Sequence, residues 1–279
     1  MAKDDVRYQG TFFTSYTNTR MKLARHCVPL DDDPAKIALV YGYDLAEVEN
    51  IFGQLACRRQ TIVDALRAKF GQALDEKLAG KPQSIVFIGD QLSSEYLGCF
   101  HLVKCLLNPY PQVSVSMAGN TGDTSNQSLQ YIYSLAVSQR PTITAFLIGT
   151  NDAYRTKDAY RKTVASPQEY RSNLDCLVKV MRHYGSKVLL NTLPPFDSAA
   201  AEKAYAHMNW ECSNEVLDEF NDIIRNTAQQ NDCKLNDVAQ HFKTFEQRIT
   251  LPDDGVLLTA EAQQFLTEHL LYCLLEMLQ

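Results

Sequence analysis

Short apolar runs and longer amphipathic stretches alternate through most of this chain. Ser84–Gly89 is a nearly continuous apolar run ending in glycine, and Val113–Met117, Ile143–Ile148 and Lys187–Asn191 are three more. A shorter fifth run lies at Cys233–Leu235. Between and after them, helical spacing is read over 93–107, 124–138, 166–184, 213–230 and 259–277. The third of these opens with Ser166-Pro167-Gln168-Glu169, a capping box with proline at the first helical position, and closes at Gly185. Strands that are apolar throughout, rather than on alternate residues, belong to a sheet covered on both faces. Strand–helix alternation then predicts a three-layer α/β/α domain on a five-stranded parallel sheet.

Residues 1–83 have a different pattern. Asp44–Phe70 repeats Leu45, Val48, Ile51, Phe52, Leu55, Ile62, Val63, Leu66 and Phe70 close to helical spacing. Lys81-Pro82 marks a boundary before the first strand. The expected organisation is therefore a helical segment at 1–83, either a small domain or an arm on the core, followed by an α/β domain at 84–279. Ala38–Gln60 bears a passing likeness to a helix-turn-helix, but its turn signal is poor.

Composition narrows the function. A net charge of −6 lacks the basic face that sequence-independent nucleic-acid binding needs, so no nucleic-acid partner is expected. Arg20, Lys22, Arg25 and His26 form a loose basic group that reads as a solvated helix face. The opening residues carry acids and no apolar h-region, so no secretory signal is read. No stretch approaches the roughly 18 apolar residues of a membrane span. Eight scattered cysteines contain no C-x-x-C pair, so neither a zinc site nor a redox motif is expected. Reduced thiols in a cytoplasmic protein follow. No metal ligand set or cofactor motif emerges, so neither a metal nor a cofactor is expected.

The chemistry sits at the carboxyl ends of the strands, where doubly wound sheets hold their ligands. The first strand ends in Gly89-Asp90-Gln91, and the second runs into Gly119-Asn120-Thr121-Gly122-Asp123. The third ends in Gly149-Thr150-Asn151-Asp152, and Asp254-Gly255-Val256-Leu257 precedes the last helix. Four such blocks in this order resemble those of the GDSL/SGNH hydrolase superfamily: Gly-Asp-Ser, a glycine block, Gly-x-Asn-Asp and Asp-x-x-His. The resemblance spans about residues 84–276, with secondary matches at Asn191, Asn221 and Leu235-Asn236-Asp237.

The resemblance implies a serine nucleophile, a histidine base and an aspartate that orients it. It also implies an oxyanion hole built from the nucleophile's N–H, the block-two glycine N–H and the block-three asparagine side chain. In this chain Gly122 and Asn151 hold the oxyanion positions, and Asp254 holds the triad acid's position. Gln91 stands where the nucleophile is expected, and Leu257 where the base is expected. A primary amide does not attack esters, and an isobutyl group cannot accept a proton. Either change alone should remove roughly 10⁴-fold of triad-dependent rate. The expectation is a pocket in which Gly122, Asn151 and the Gln91 amide bind a small ligand, acylated or carbohydrate-like, without turning it over. Residues 1–83 could contact a protein partner or a second copy. The alternative is an esterase or acylhydrolase with a relocated nucleophile at Ser93 or Ser94. Both read more simply as first-turn helix serines, and His207, in the long connection after the fourth strand, reads as a loop histidine.

Overall fold

The structure, a computed structural model, describes residues 33–119 and 122–278. The basic group at Arg20, Lys22, Arg25 and His26 lies outside the described residues, as do Asn120 and Thr121.

Two helices precede the sheet. Helix α1 (Pro34–Tyr41) starts behind Asp33, whose side chain accepts from Ala35 N, and stops at Gly42 in the left-handed region. Helix α2 (Leu45–Leu78) is 34 residues long and is capped by Asp44, which accepts from Glu47 N. It runs eight residues past the expected Phe70, because Leu74 and Leu78 continue the buried stripe beyond Gly71. Ala38–Gln60 thus forms the end of α1 and the first half of α2.

The α/β part begins with β1 (Gln83–Gly89), the short α3 (Gln91–Ser94), α4 (Cys99–Leu107) and β2 (Val113–Ala118). Then come α5 (Ser125–Tyr131), β3 (Ile143–Leu147), β4 (Arg155–Thr156), α6 (Pro167–His183) and β5 (Lys187–Asn191). The chain finishes with α7 (Ser198–Ala204), β6 (Trp210–Glu211), α8 (Asn214–Gln230), β7 (Lys234–Asn236), α9 (Val238–His241) and α10 (Ala260–Met277). Strands order β2-β1-β3-β5-β7, and every pair is parallel. All five predicted strands are present, and the three-layer parallel fold is as expected.

Helices α2, α4 and α10 pack together on one side, while α5, α6 and α8 pack together on the other. The buried face of α2 joins the same apolar core as the sheet. Arg67 of α2 donates to the Leu106 carbonyl at the end of α4, and Lys69 pairs with Glu268 of α10 at 2.5 Å. Each fully buried leucine or isoleucine of such a face stabilises by about 1.5–3 kcal/mol, so the helix is integral to this side of the core.

Three details differ from the sequence reading. The helix expected at 93–107 is two pieces, because Gly98 bends the chain so tightly that a β-carbon there would lie 2.4 Å from the Ser93 carbonyl oxygen. The helix expected at 124–138 is α-helical only to Tyr131 and then widens into a π turn over Ile132–Ala136. The antiparallel pair β4–β6 and helix α7 were not expected; two-residue strands leave no periodicity to read.

Candidate functional site

Because β2 and β3 flank β1 on opposite sides, the chain reverses direction across the sheet at β1. The loops leaving these strands therefore meet at one crevice. Their close approach depends on glycine. Gly119 has φ +125°, and a β-carbon there would lie 1.9 Å from the Gly89 carbonyl oxygen. Gly149 has φ +131°, and its missing β-carbon leaves room for the Tyr170 ring, whose hydroxyl donates to the Ile148 carbonyl at 2.8 Å. In this way the blocks containing Gln91, Gly122 and Asn151 come together.

At their meeting point the Gln91 side chain makes a closed set of hydrogen bonds. Its Oε1 accepts from Gly122 N at 3.1 Å and from Asn151 Nδ2 at 2.9 Å. Its Nε2 donates back to Asn151 Oδ1 at 3.1 Å, so the two amides form a reciprocal pair. Asn151 Nδ2 also donates to the Asp123 carbonyl at 2.8 Å. That carbonyl can only accept, and Gly122 N can only donate, so backbone groups of fixed polarity orient both amides. Gln91 and Asn151 are 5% and 6% exposed, so these bonds are made out of water. The oxygen of Gln91 thus lies between the two groups expected to receive a ligand's oxygen.

Around this pair lies a buried polar frame. Asp90 caps α3 through Leu92 N at 3.0 Å and is fully buried. Burial pushes its carboxyl up to about 7, against the pull of the Leu92 N–H and the Thr150 hydroxyl, with Asp152 and Asp123 adding to the rise. Asp152 accepts from Ser125 N and Oγ, and burial raises it to about 6. Asn173 Nδ2 in turn donates to Ser125 Oγ at 2.9 Å. The other motif residues are structural fasteners. Asn191 donates to the Phe146 carbonyl, Asn221 bonds both main-chain groups of Leu193, and Asp237 takes Thr192 and Arg225.

The fourth block reaches the crevice from before α10. Asp254 Oδ1 accepts from Val256 N at 2.9 Å and Leu257 N at 2.6 Å, and its Oδ2 accepts from the Tyr205 hydroxyl at 2.6 Å. Leu257 is 8% exposed and belongs to the apolar core. None of these bonds, nor those of Gln91, Gly122 and Asn151, involves a histidine or a serine hydroxyl. His207 is exposed, on the connection that follows α7. Ser93 is fully buried, and its hydroxyl donates to the Asp90 carbonyl at 3.1 Å, on the core side of the turn. Ser94 is the last residue of α3.

Sequence reasoning missed Tyr154, Tyr205, Trp210 and Cys212. Tyr154 lies near Gln91, and its ring packs 6.1 Å from Phe196 and 6.2 Å from Trp210. Cys212 lies near Tyr154 and Asp254, and its thiol is pushed up to about 12 by burial and then by Asp254, which leaves it without a thiolate. Three of these four sit in the connection between β5 and α8. That segment is tied down by Asp197 N donating to the Gly255 carbonyl at 2.8 Å and by Arg155 pairing with Glu211 at 2.8 Å. Together with the β4–β6 pairing these contacts bring it over the crevice, and no sequence spacing announces that. Among the described residues, no group of three or more histidine, cysteine or acidic side chains could hold a metal ion, and no helix is long and apolar enough to cross a membrane.

Comparison with known structures gives the same fold. The chain superposes on a lipase/acylhydrolase from Enterococcus faecalis with a TM-score of 0.59 at 19% identity, covering 71% of this chain and 97% of that one. The acetyl xylan esterase AlAXEase aligns at 0.54 and 20% identity, covering 68% of this chain and 98% of that one. TesA aligns at 0.53 and 21% identity, covering 70% of this chain and 100% of that one. No curated protein matches the sequence. A sequence profile of the GDSL-like lipase/acylhydrolase family matches residues 84–265, well over half of the 279 residues. On the ordered blocks, the parallel sheet and this match, the chain belongs to the GDSL-like lipase/acylhydrolase family.

Proposed function

We propose that this family member does not hydrolyse esters by serine–histidine chemistry, and acts by binding with its acyl-oxygen site closed by its own Gln91. The observation that carries the reading is the Gln91 oxygen, which accepts from both Gly122 N and Asn151 Nδ2. In acyl transfer, donors so placed stabilise the oxygen on which negative charge develops. Here they serve a neutral amide that cannot leave by reaction. A substrate carbonyl would have to displace a side chain already bonded on both its oxygen and its nitrogen.

The base position supports the same reading. The Leu257 side chain has no proton acceptor, and Asp254 spends its oxygens on two main-chain N–H groups and Tyr205. The alternative nucleophile Ser93 is buried and bonded to its own turn, which argues against an esterase relocated to that residue. Binding on this face then falls to the half-buried rings of Tyr154 and Trp210 beside the closed hole, with Tyr154 packed against the buried Phe196, a surface for a small acylated or carbohydrate-like ligand. The fold itself does not name that ligand.

Fluorophosphonate labelling and hydrolysis of a short-chain nitrophenyl ester test the reading. The wild-type protein should take up no label and should not raise ester hydrolysis above that of buffer. Clear labelling that Ser93→Ala or Ser94→Ala abolishes would overturn it. A Gln91→Ser, Leu257→His double variant should hydrolyse the ester measurably, because it opens the donor pair and supplies an attacking hydroxyl with its base. An inactive but well-folded double variant would mean that Gly122 and Asn151 no longer align with an attacking group.

A further inference from the structure

We infer that the crevice at the end of β1 is a binding site for a primary carboxamide, with the Gln91 side chain as its resident occupant, and that it discriminates against carboxylates. The inference rests on the non-hydrolytic reading in one respect: it treats Gln91 as a bound group rather than a reacting one.

The pattern of donors and acceptors decides the ligand class. A hole made only of donors would take an anion best, as such holes do when negative charge develops on a carbonyl oxygen. This one offers two donors, Gly122 N and Asn151 Nδ2, and beside them one acceptor, Asn151 Oδ1. The acceptor cannot be exchanged for a third donor by turning the asparagine over. Its Nδ2 is held by the Asp123 carbonyl at 2.8 Å, and a flipped amide would set oxygen against oxygen there. A ligand must therefore accept on one atom and donate from its neighbour, as a primary amide does. A carboxylate would place its second oxygen against Asn151 Oδ1 with no proton between them. It would also enter beside the buried Asp90 and Asp123, where further negative charge is disfavoured. An ester has an acceptor but no donor, and leaves Asn151 Oδ1 unpaired.

Beyond its β-carbon, the glutamine side chain has the heavy atoms of acetamide, so Gln91→Ala leaves a vacancy of that shape and polarity. The test is chemical rescue of stability. Gln91→Ala should melt below the wild type. Acetamide should raise its Tm by about 2 °C or more relative to the effect of acetamide on the wild type, once the amide exceeds its Kd several-fold. Sodium acetate and N,N-dimethylacetamide at matched concentration should not do so, the first lacking the donor and the second its N–H. No amide-specific rise, or an equal rise with acetate, would overturn the inference.

Should Gln91→Ala fail to fold, Gln91→Glu keeps the length of the side chain and asks the same question. It should melt below the wild type near pH 8 and recover as the pH falls, when the protonated acid supplies the missing donor to Asn151 Oδ1. Stability equal to the wild type near pH 8 would show that the hole accepts an anion and would overturn the carboxamide assignment. Neither measurement depends on ester turnover. Their failure is thus separate from failure of the non-hydrolytic reading, which fluorophosphonate labelling of the wild type reports.

Discussion

At the end of β1, the position where the family resemblance implies the attacking residue holds a primary amide; before α10, the position where it implies the proton acceptor holds an isobutyl group. The surroundings of the two explain why they differ. Gly122 N and Asn151 Nδ2 converge on a buried point, and a buried donor without a partner costs about 1–3 kcal/mol. A side chain that reaches this point with an acceptor removes that cost, and Gln91 does so while also feeding Asn151 Oδ1. Asp254 is only half-buried and accepts two N–H groups from its own turn, so it needs nothing from the side chain of residue 257. A leucine can then serve the core at that position. The two positions share one chemistry in the family pattern, yet here one is constrained by polarity and the other by volume.

The largest effect that would break this contrast is at Asn151. Replacing it with alanine strands Gln91 Nε2 and removes one donor from the Asp123 carbonyl, in a crevice with little access to water. Asn151→Ala should cost roughly 2–4 kcal/mol in urea unfolding, by the price of orphaned buried polar groups. A double-mutant cycle with Gln91→Ala should return a coupling of about 1 kcal/mol or more, because two hydrogen bonds join the two amides directly. Additive losses would mean that the pair is a coincidence of packing rather than a unit.

How much of this was legible beforehand differs between the same two places. The strands could be read from the chain, because continuous apolar runs and glycine after a strand have local causes; Gln91, Gly122, Asn151 and Asp254 were singled out only by the resemblance to the family's four blocks. That the Gln91 oxygen enters the hole was not legible. The sequence reading left the donors open to a ligand, since pairing between residues 60 positions apart depends on side-chain direction. Tyr205 as the partner of Asp254 was hidden for a related reason. It lies in a connection whose path is set by the two-residue ladder β4–β6 and by Asp197 meeting Gly255. Nothing periodic marks either contact.

Acid near Gln91 gives the next effect. Asp90 and Asp152, raised to about 7 and about 6 by burial, bind protons in the folded protein that the unfolded chain, with its carboxyls near 3.8, has already released. Between pH 4 and 7 the folded state therefore holds more protons, and stability falls as pH rises through that window, by up to about 1.4 kcal/mol per pH unit for each group. His269 works in the opposite direction. Burial and His241 depress it, so its contribution is lost as pH falls below its ordinary 6.5. The difference between wild type and Asp90→Asn isolates the carboxyl, because asparagine keeps an oxygen for Leu92 N. The variant should have the flatter stability profile between pH 5 and 8 and gain on the wild type toward pH 8. Parallel profiles would mean that Asp90 is ionised and solvated in the folded protein.

The smallest effect sharpens the other side of the contrast. Tyr205→Phe removes one hydrogen bond, the 2.6 Å contact to Asp254 Oδ2, and leaves the bonds to Val256 N and Leu257 N in place. Both partners are half-buried, so water can take the hydroxyl's place, and the loss should be about 0.5–1.5 kcal/mol. Asp254→Ala removes all three bonds and should cost more. The two variants should also differ in amide hydrogen exchange: Val256 and Leu257 stay protected in Tyr205→Phe and lose protection in Asp254→Ala. If Tyr205→Phe alone exposes those amides, the tyrosine rather than the turn holds Asp254 in place. The base-side block would then depend on the connection over the crevice as fully as the nucleophile-side block depends on Gln91.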